Sequence, residues 1–151
     1  MIPGRFITLE GGEGAGKSTQ ISRLAGELET AGLGVVLTRE PGGSEGAEQI
    51  RKLLVEGEVA RWHPMSEALL HFAARVDHVD KVVRPALAAG NWVLCDRFAD
   101  STLAYQGYGH GLGPTAINEL YRLVLGDFRP DLTLVLDLPV EVGLERAGRR
   151  A

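Results

Sequence analysis

The residues best spaced for chemistry lie near the N-terminus. Gly11, Gly12, Glu13, Gly14, Ala15, Gly16, Lys17 and Ser18 fit the pattern G-x-x-x-x-G-K-[ST], with Thr19 following. Glycines let a backbone wrap closely round an anion, so that successive N–H groups and the N-terminus of a following helix point at phosphate oxygens. Lys17 is placed to reach the β- and γ-phosphates, and Ser18 to ligate Mg²⁺. The glycines do not space as G-x-G-x-x-G, so a dinucleotide-binding turn is not the reading. Two further clusters pair an arginine with a carboxylate, Arg39-Glu40-Pro41-Gly42-Gly43 and Asp96-Arg97-Phe98. Arginine holds phosphate in a planar two-pronged fork, and a carboxylate beside a phosphate loop holds Mg²⁺ through water or orients an attacking oxygen. One anion pocket for a donor and a second for a phosphate acceptor together spell a small kinase. A GTPase would need Asn-Lys-x-Asp, and Asn91 and Asn118 are followed by Trp and Glu.

These clusters need elements to hold them. Phe6–Glu10 reads as a buried strand running straight into the glycines. Ile21, Leu24, Ala25 and Leu28 follow the spacing of an amphipathic helix stopped by Gly32. Strands are expected at 35–38, 92–95 and 132–136. Helices are expected at 47–54, 67–89 and 116–125, with a last one after Pro139. Strands alternating with helices predict a P-loop NTPase-type α/β/α fold in three layers on a parallel sheet, and the unusual loops all leave strand C-termini. The strands are continuous apolar runs, the pattern of a sheet covered on both faces.

Composition sets the outer limits. The 151 residues form one expected domain, 1–151, and 16 basic against 20 acidic residues give a net charge of −4. That balance argues against a nucleic-acid binder, and no apolar run reaches the ~18 residues of a membrane span. The N-terminus shows no secretory pattern, so a cytoplasmic protein is expected. The single cysteine, Cys95, excludes an internal disulfide framework and reads as strand filling. His63, His78 and His110 show no metal-ligand spacing, and Trp62 and Trp92 read as packing residues.

The stretch Leu94-Cys-Asp-Arg-Phe-Ala-Asp-Ser-Thr-Leu-Ala-Tyr-Gln106 resembles the signature of thymidylate kinases. Arg39–Gly43, Phe72–Arg75 and Gly126–Leu134 sit where that family has them, so the resemblance covers the whole chain. It implies transfer of the ATP γ-phosphate to dTMP, with ATP and Mg²⁺ as cofactors and a homodimer as the assembly. It implies that Arg97 binds the dTMP phosphate with Arg39 and Arg51 beside it. Asp96 holds Mg²⁺ through water, Glu40 lies near the metal, and Glu13 meets the sugar 3′-hydroxyl. Tyr105 crowds the 2′ position, Thr102 and Gln106 meet base and sugar, and Arg75 bonds the thymine carbonyl. Many members carry the ring that stacks on thymine four residues before that arginine, which is His71 here. Periodicity puts Phe72 on a core stripe with Leu69, Val76, Val79 and Val83. We nevertheless expect Phe72 to be the stacking ring, because thymine prefers a flat apolar face.

The phosphate loop has no arginine, so the resemblance implies one from a lid beginning near 146. Arg149 is the expected catalytic residue, with Arg146 and Arg150 as the other candidates. Family members continue with more lid, a strand and helices, so the chain is expected to lack that C-terminal part, and 1–151 alone to turn over poorly. Two alternatives remain at this level: a kinase for another nucleoside monophosphate, and a nucleotide-dependent switch without acceptor phosphorylation.

Overall fold

The computed structural model describes residues 2–150; Met1 and Ala151, the ends of the expected domain, lie outside it. Its contacts divide into two units. The first comprises Met1–Thr38, Ala86–Arg97 and Pro130–Ala151, and the second Arg39–Pro85 and Phe98–Arg129.

The first unit is built on strands β1 (Phe6–Glu10), β2 (Val35–Arg39), β3 (Trp92–Asp96) and β4 (Leu132–Val135), in the order β2-β3-β1-β4. β1 lies parallel to β3, with Phe6 opposite Val93 and Leu9 opposite Asp96, and parallel to β4, with Ile7 opposite Leu132. Every residue of β1 is buried, Thr8 and Glu10 included, as its place between β3 and β4 requires. Helix α1 (Lys17–Thr30) lays Ile21 and Ala25 on Ile7, Leu9 and Leu94, the apolar face its periodicity foretold. The fold is of the P-loop NTPase class, a parallel sheet flanked by helices. Helix α7 (Val140–Gly148) follows β4.

In the second unit, α2 (Glu45–Val55) starts where the Ser44 hydroxyl accepts the Ala47 N–H at 3.3 Å, a side-chain cap. α3 (Pro64–His78) begins with Pro64 in the first turn and the His63 Nδ1 accepting from Met65 N. The expected helix 67–89 is not one α-helix. A π-helical turn, Val79–Val83, interrupts it before α4 (Arg84–Ala88). The change of pitch buries Val79 and Val83, whereas Leu69 and Val76 are 49% and 39% exposed. The expected core stripe therefore does not run unbroken. After Phe98 a short helix, α5 (Ala99–Thr102), passes into a second π-helical segment, Leu103–Gly109, and α6 (Pro114–Leu125) follows. π-Helical turns recur at functional sites. Here the first follows α3, which carries Arg75, and the second contains Tyr105 and Gln106.

Candidate functional site

In the first unit the strand-to-helix turn forms a cradle. Gly14 sits at φ 71°, and a Cβ there would lie 2.1 Å from the Gly143 carbonyl oxygen. Gly143 in turn brings its backbone against the Glu13 carbonyl, where a Cβ would stand at 2.5 Å. The loop and α7 thus meet backbone to backbone, an approach only glycine allows. Gly16, also left-handed at φ 93°, is the N-cap of α1 and starts its row of N–H groups.

Lys17 is 8% exposed, and its Nζ donates to the carbonyl oxygens of Gly11 and Gly12 at 3.0 Å each. Burial, and then the nearby Arg97 charge, push its ammonium below the ordinary lysine value. Ser18 and Thr19 stand exposed on the first turn of α1. Arg97 adopts φ 67°, a left-handed backbone uncommon outside glycine, and its N–H is held by the Leu9 carbonyl at 2.9 Å. Its guanidinium donates to Glu13 Oε1 at 3.2 Å. Asp96, its neighbour, keeps a buried Oδ1 without a hydrogen-bond partner. Loop residues 13–18, Asp96, Arg97 and Arg150 line one cavity of about 150 Å³. Arg149 lies elsewhere, exposed and paired with Glu145. Arg146 is exposed on α7, its Cβ against the backbone of Gly14.

The second unit holds a buried side-chain network. Arg75 is 2% exposed, and its Nε donates to Glu40 Oε2 at 2.7 Å while Nη2 donates to Thr102 Oγ1 at 3.0 Å. Its guanidinium carbon lies 5.0 Å from the Phe72 ring centre and 5.2 Å from that of Phe98. The third nitrogen, Nη1, is buried without a partner. The second Glu40 oxygen, Oε1, is 2.9 Å from Nδ1 of His78, which is fully buried. Gln106, 3% exposed, donates its Nε2 to Glu67 Oε1 at 2.9 Å. Tyr105 is 46% exposed. Arg39 donates to Glu48 Oε2 at 3.1 Å, Glu48 also accepts the Gly43 N–H at 2.9 Å, and Arg51 donates to the Pro41 carbonyl at 2.7 Å. The Gly43 N–H foremost, and then Arg39, holds the Glu48 carboxyl below its ordinary range.

Both Glu40 oxygens are occupied, by Arg75 and His78, so its carboxylate stands behind the arginine. Phe72 is 1% exposed and stacked by Arg75, which leaves no face for a base; it is a core ring. His71, half-buried one residue earlier, is held neutral, its pKa pushed down to about 4 by burial and then by Arg75. The arginine and carboxylate of each sequence-adjacent cluster do not pair with one another. Arg39 goes to Glu48, Glu40 to Arg75, and Arg97 to Glu13. Glu48, Glu67 and His78 were missed, because a lone carboxylate or imidazole on a helix carries no local signal of its tertiary partner.

The thymidylate kinase family profile matches residues 9–151. The chain belongs to the thymidylate kinase family. It is 61% identical over 150 residues to the thymidylate kinase of Caulobacter vibrioides, covering 99% of this chain and 72% of that protein. It is 60% identical over 139 residues to that of Rhizorhabdus wittichii, covering 92% and 67%. It is 58% identical over 147 residues to that of Bradyrhizobium sp. BTAi1, covering 97% of this chain and 65% of that protein. The crystal structure of the Ehrlichia chaffeensis thymidylate kinase superposes with a TM-score of 0.83 at 42% identity, covering 96% of this chain and 83% of that one. The chain is thus a nucleoside monophosphate kinase, a phosphotransferase whose acceptor is dTMP.

Proposed function

We propose that the chain transfers the γ-phosphate of ATP to dTMP using the residues described, with Mg²⁺. The observation that carries the acceptor side is Arg75 Nη1. A buried guanidinium nitrogen without a partner costs on the order of 1–3 kcal/mol, and a ligand carbonyl removes that cost. Two of the three guanidinium nitrogens are pinned by Glu40 and Thr102, so Nη1 is aimed rather than free to turn, and it donates to the thymine carbonyl. His71 in place of Phe72 offers the flat face to the base, as a neutral imidazole. Tyr105, Thr102 and Gln106 meet sugar and base, and Glu13 the 3′-hydroxyl.

Phosphoryl transfer needs positioning and positive charge more than covalent chemistry. Lys17 leaves the carbonyls of Gly11 and Gly12 for the phosphate oxygens. Its depressed pKa reflects burial that a bound polyanion offsets. Arg97, with Arg39 and Arg51, binds the acceptor phosphate; its present partner Glu13 is 67% exposed and releases it at little cost. A divalent ion bound with a triphosphate needs only one or two protein oxygens, and the donor set fits, with Ser18 on α1 and the buried, unpartnered Asp96 Oδ1. That ion supplies charge neutralisation. The acceptor is already an anion, so no strong base is required.

The assembly is a homodimer and the setting the cytoplasm. Exposed Leu69, Val76 and Leu123 in the second unit support the first. One buried free cysteine, and described residues with no helix long and apolar enough to cross a membrane, support the second. The single-domain reading rests on the family match, which spans both units, with the lid starting near residue 146. ADP release measured across dTMP, dUMP, dCMP, dGMP and AMP tests the function: dTMP-dependent turnover is expected. Turnover indifferent to the acceptor would sink it, as would ATP binding with no acceptor-dependent turnover.

A further inference from the structure

Glu67, His71 and Arg75 recur every four residues along α3 and share one stripe. Thr102 and Gln106 recur at the same interval along the segment after Phe98. Two bonds join these stripes, Arg75 Nη2 to Thr102 Oγ1 at 3.0 Å and Gln106 Nε2 to Glu67 Oε1 at 2.9 Å. The second bond has a direction that chemistry dictates. An ionised carboxylate only accepts, so the Gln106 amide must turn its NH₂ to Glu67. The reverse orientation would set carbonyl oxygen against carboxylate oxygen with no proton between them. At 3% exposure little water is available to bridge such a mismatch. The other carboxylate oxygen, Oε2, lies 4.0 Å from His110 Nδ1, a further group beside Glu67. The amide's carbonyl oxygen is therefore the end turned away from Glu67.

We infer that Glu67 is a specificity-determining positioning residue, which fixes Gln106 as a hydrogen-bond acceptor toward the base. This inference rests on the reading that Arg75 and Gln106 both meet the acceptor base. Arg75 offers only donors and Gln106, so fixed, offers an acceptor. A base edge with a carbonyl beside a ring N–H, as in thymine and uracil, matches both. Cytosine presents an amino group and a bare ring nitrogen, and mismatches both. A buried site built to hydrogen-bond one pattern rejects the reversed one strongly, because the site's own groups are left unpaired.

The test is equilibrium binding by calorimetry of dTMP, dUMP and dCMP to the wild-type chain, Glu67→Gln and Gln106→Leu. An amide at 67 accepts either orientation of Gln106, so the dTMP-over-dCMP ratio falls about tenfold or more in Glu67→Gln, with dUMP following dTMP. Glu67→Gln with the wild-type ratio, whether or not all affinities drop together, overturns the inference. Gln106→Leu separates the two layers. Weaker dTMP binding there, with an unchanged ratio in Glu67→Gln, sinks the role of Glu67 alone. Unchanged dTMP binding in Gln106→Leu sinks the base-contact reading itself. If the far-UV spectrum shows Glu67→Gln unfolded, Glu67→Ala also frees the amide and carries the same outcomes.

Discussion

The two units build their polar sites from different materials. In the first, the cradle is almost entirely backbone: a glycine turn, the N-terminus of α1 and one lysine whose partners are carbonyls five and six residues away. In the second, the Arg75 network is entirely side chains, reaching Glu40 across 35 residues, Thr102 across 27, and joining His78 to Glu40 across 38. A backbone site tolerates loss of a side chain structurally and loses chemistry. A buried side-chain site loses its fold when one charge loses its partner.

The largest expected effect follows directly. Glu40→Ala leaves Arg75 charged and buried without its carboxylate, and lowers stability by roughly 3–5 kcal/mol. Urea denaturation measures it; a loss below about 1 kcal/mol would mean that the network does not hold the second unit. Lys17→Met is the mirror image. The side chain only parks on two carbonyls, so stability changes by less than about 1 kcal/mol, within the range of one neutral hydrogen bond. Turnover with ATP and dTMP falls about 10²–10³-fold, the usual cost of losing a charge-stabilising donor. Equal losses of stability in the two variants would erase the contrast.

The same contrast decides what the sequence could tell. Strands β1 to β4 and α1 were legible because period and flanking glycines are local. The glycine turn was legible because its geometry is written in consecutive residues. Nothing in Arg-Glu-Pro-Gly-Gly records that the Glu40 carboxylate turns to Arg75 and His78. Phe72 was given to the base on its chemistry, although it is 1% exposed with Arg75 over its ring, a burial its residue type does not record. The segment 99–109 has no 3.6-residue pattern, since much of it is π-helical, and the sequence offered no element there.

A smaller effect probes the second unit by pH. The His71 pKa is about 4 in the folded chain against 6.5 ordinarily, with Arg75, Glu40 and His110 as the charges that face it. As pH falls below 6.5 the unfolded chain takes up the proton first. The stabilisation is complete above 6.5, is lost as pH drops from 6.5 towards 4, and declines no further from this group below that. The loss attributable to His71 is at most about 1 kcal/mol per pH unit across that window. His71→Phe flattens the dependence between pH 6.5 and 5 while keeping a ring for the base. An unchanged slope would place the titration on another group.

The smallest effect separates two adjacent arginines in the first unit. Arg149 is 75% exposed at its side chain and pairs with Glu145 one helical turn back. Such surface pairs contribute about 0.3–0.5 kcal/mol, so Arg149→Ala changes stability by no more than that and leaves turnover within about twofold. Arg150, by contrast, lines the cavity with Lys17, Asp96 and Arg97. A phosphate bound in that cavity would face this cation in partly enclosed space, where a fixed charge is worth more than at the surface. Arg150→Ala therefore lowers kcat/KM for ATP about tenfold, with stability unchanged. Measuring both substitutions side by side assigns the lid arginine. A larger turnover loss in Arg149→Ala would mean that the Glu145 pair opens during the reaction and that Arg149 is the residue delivered to the phosphates.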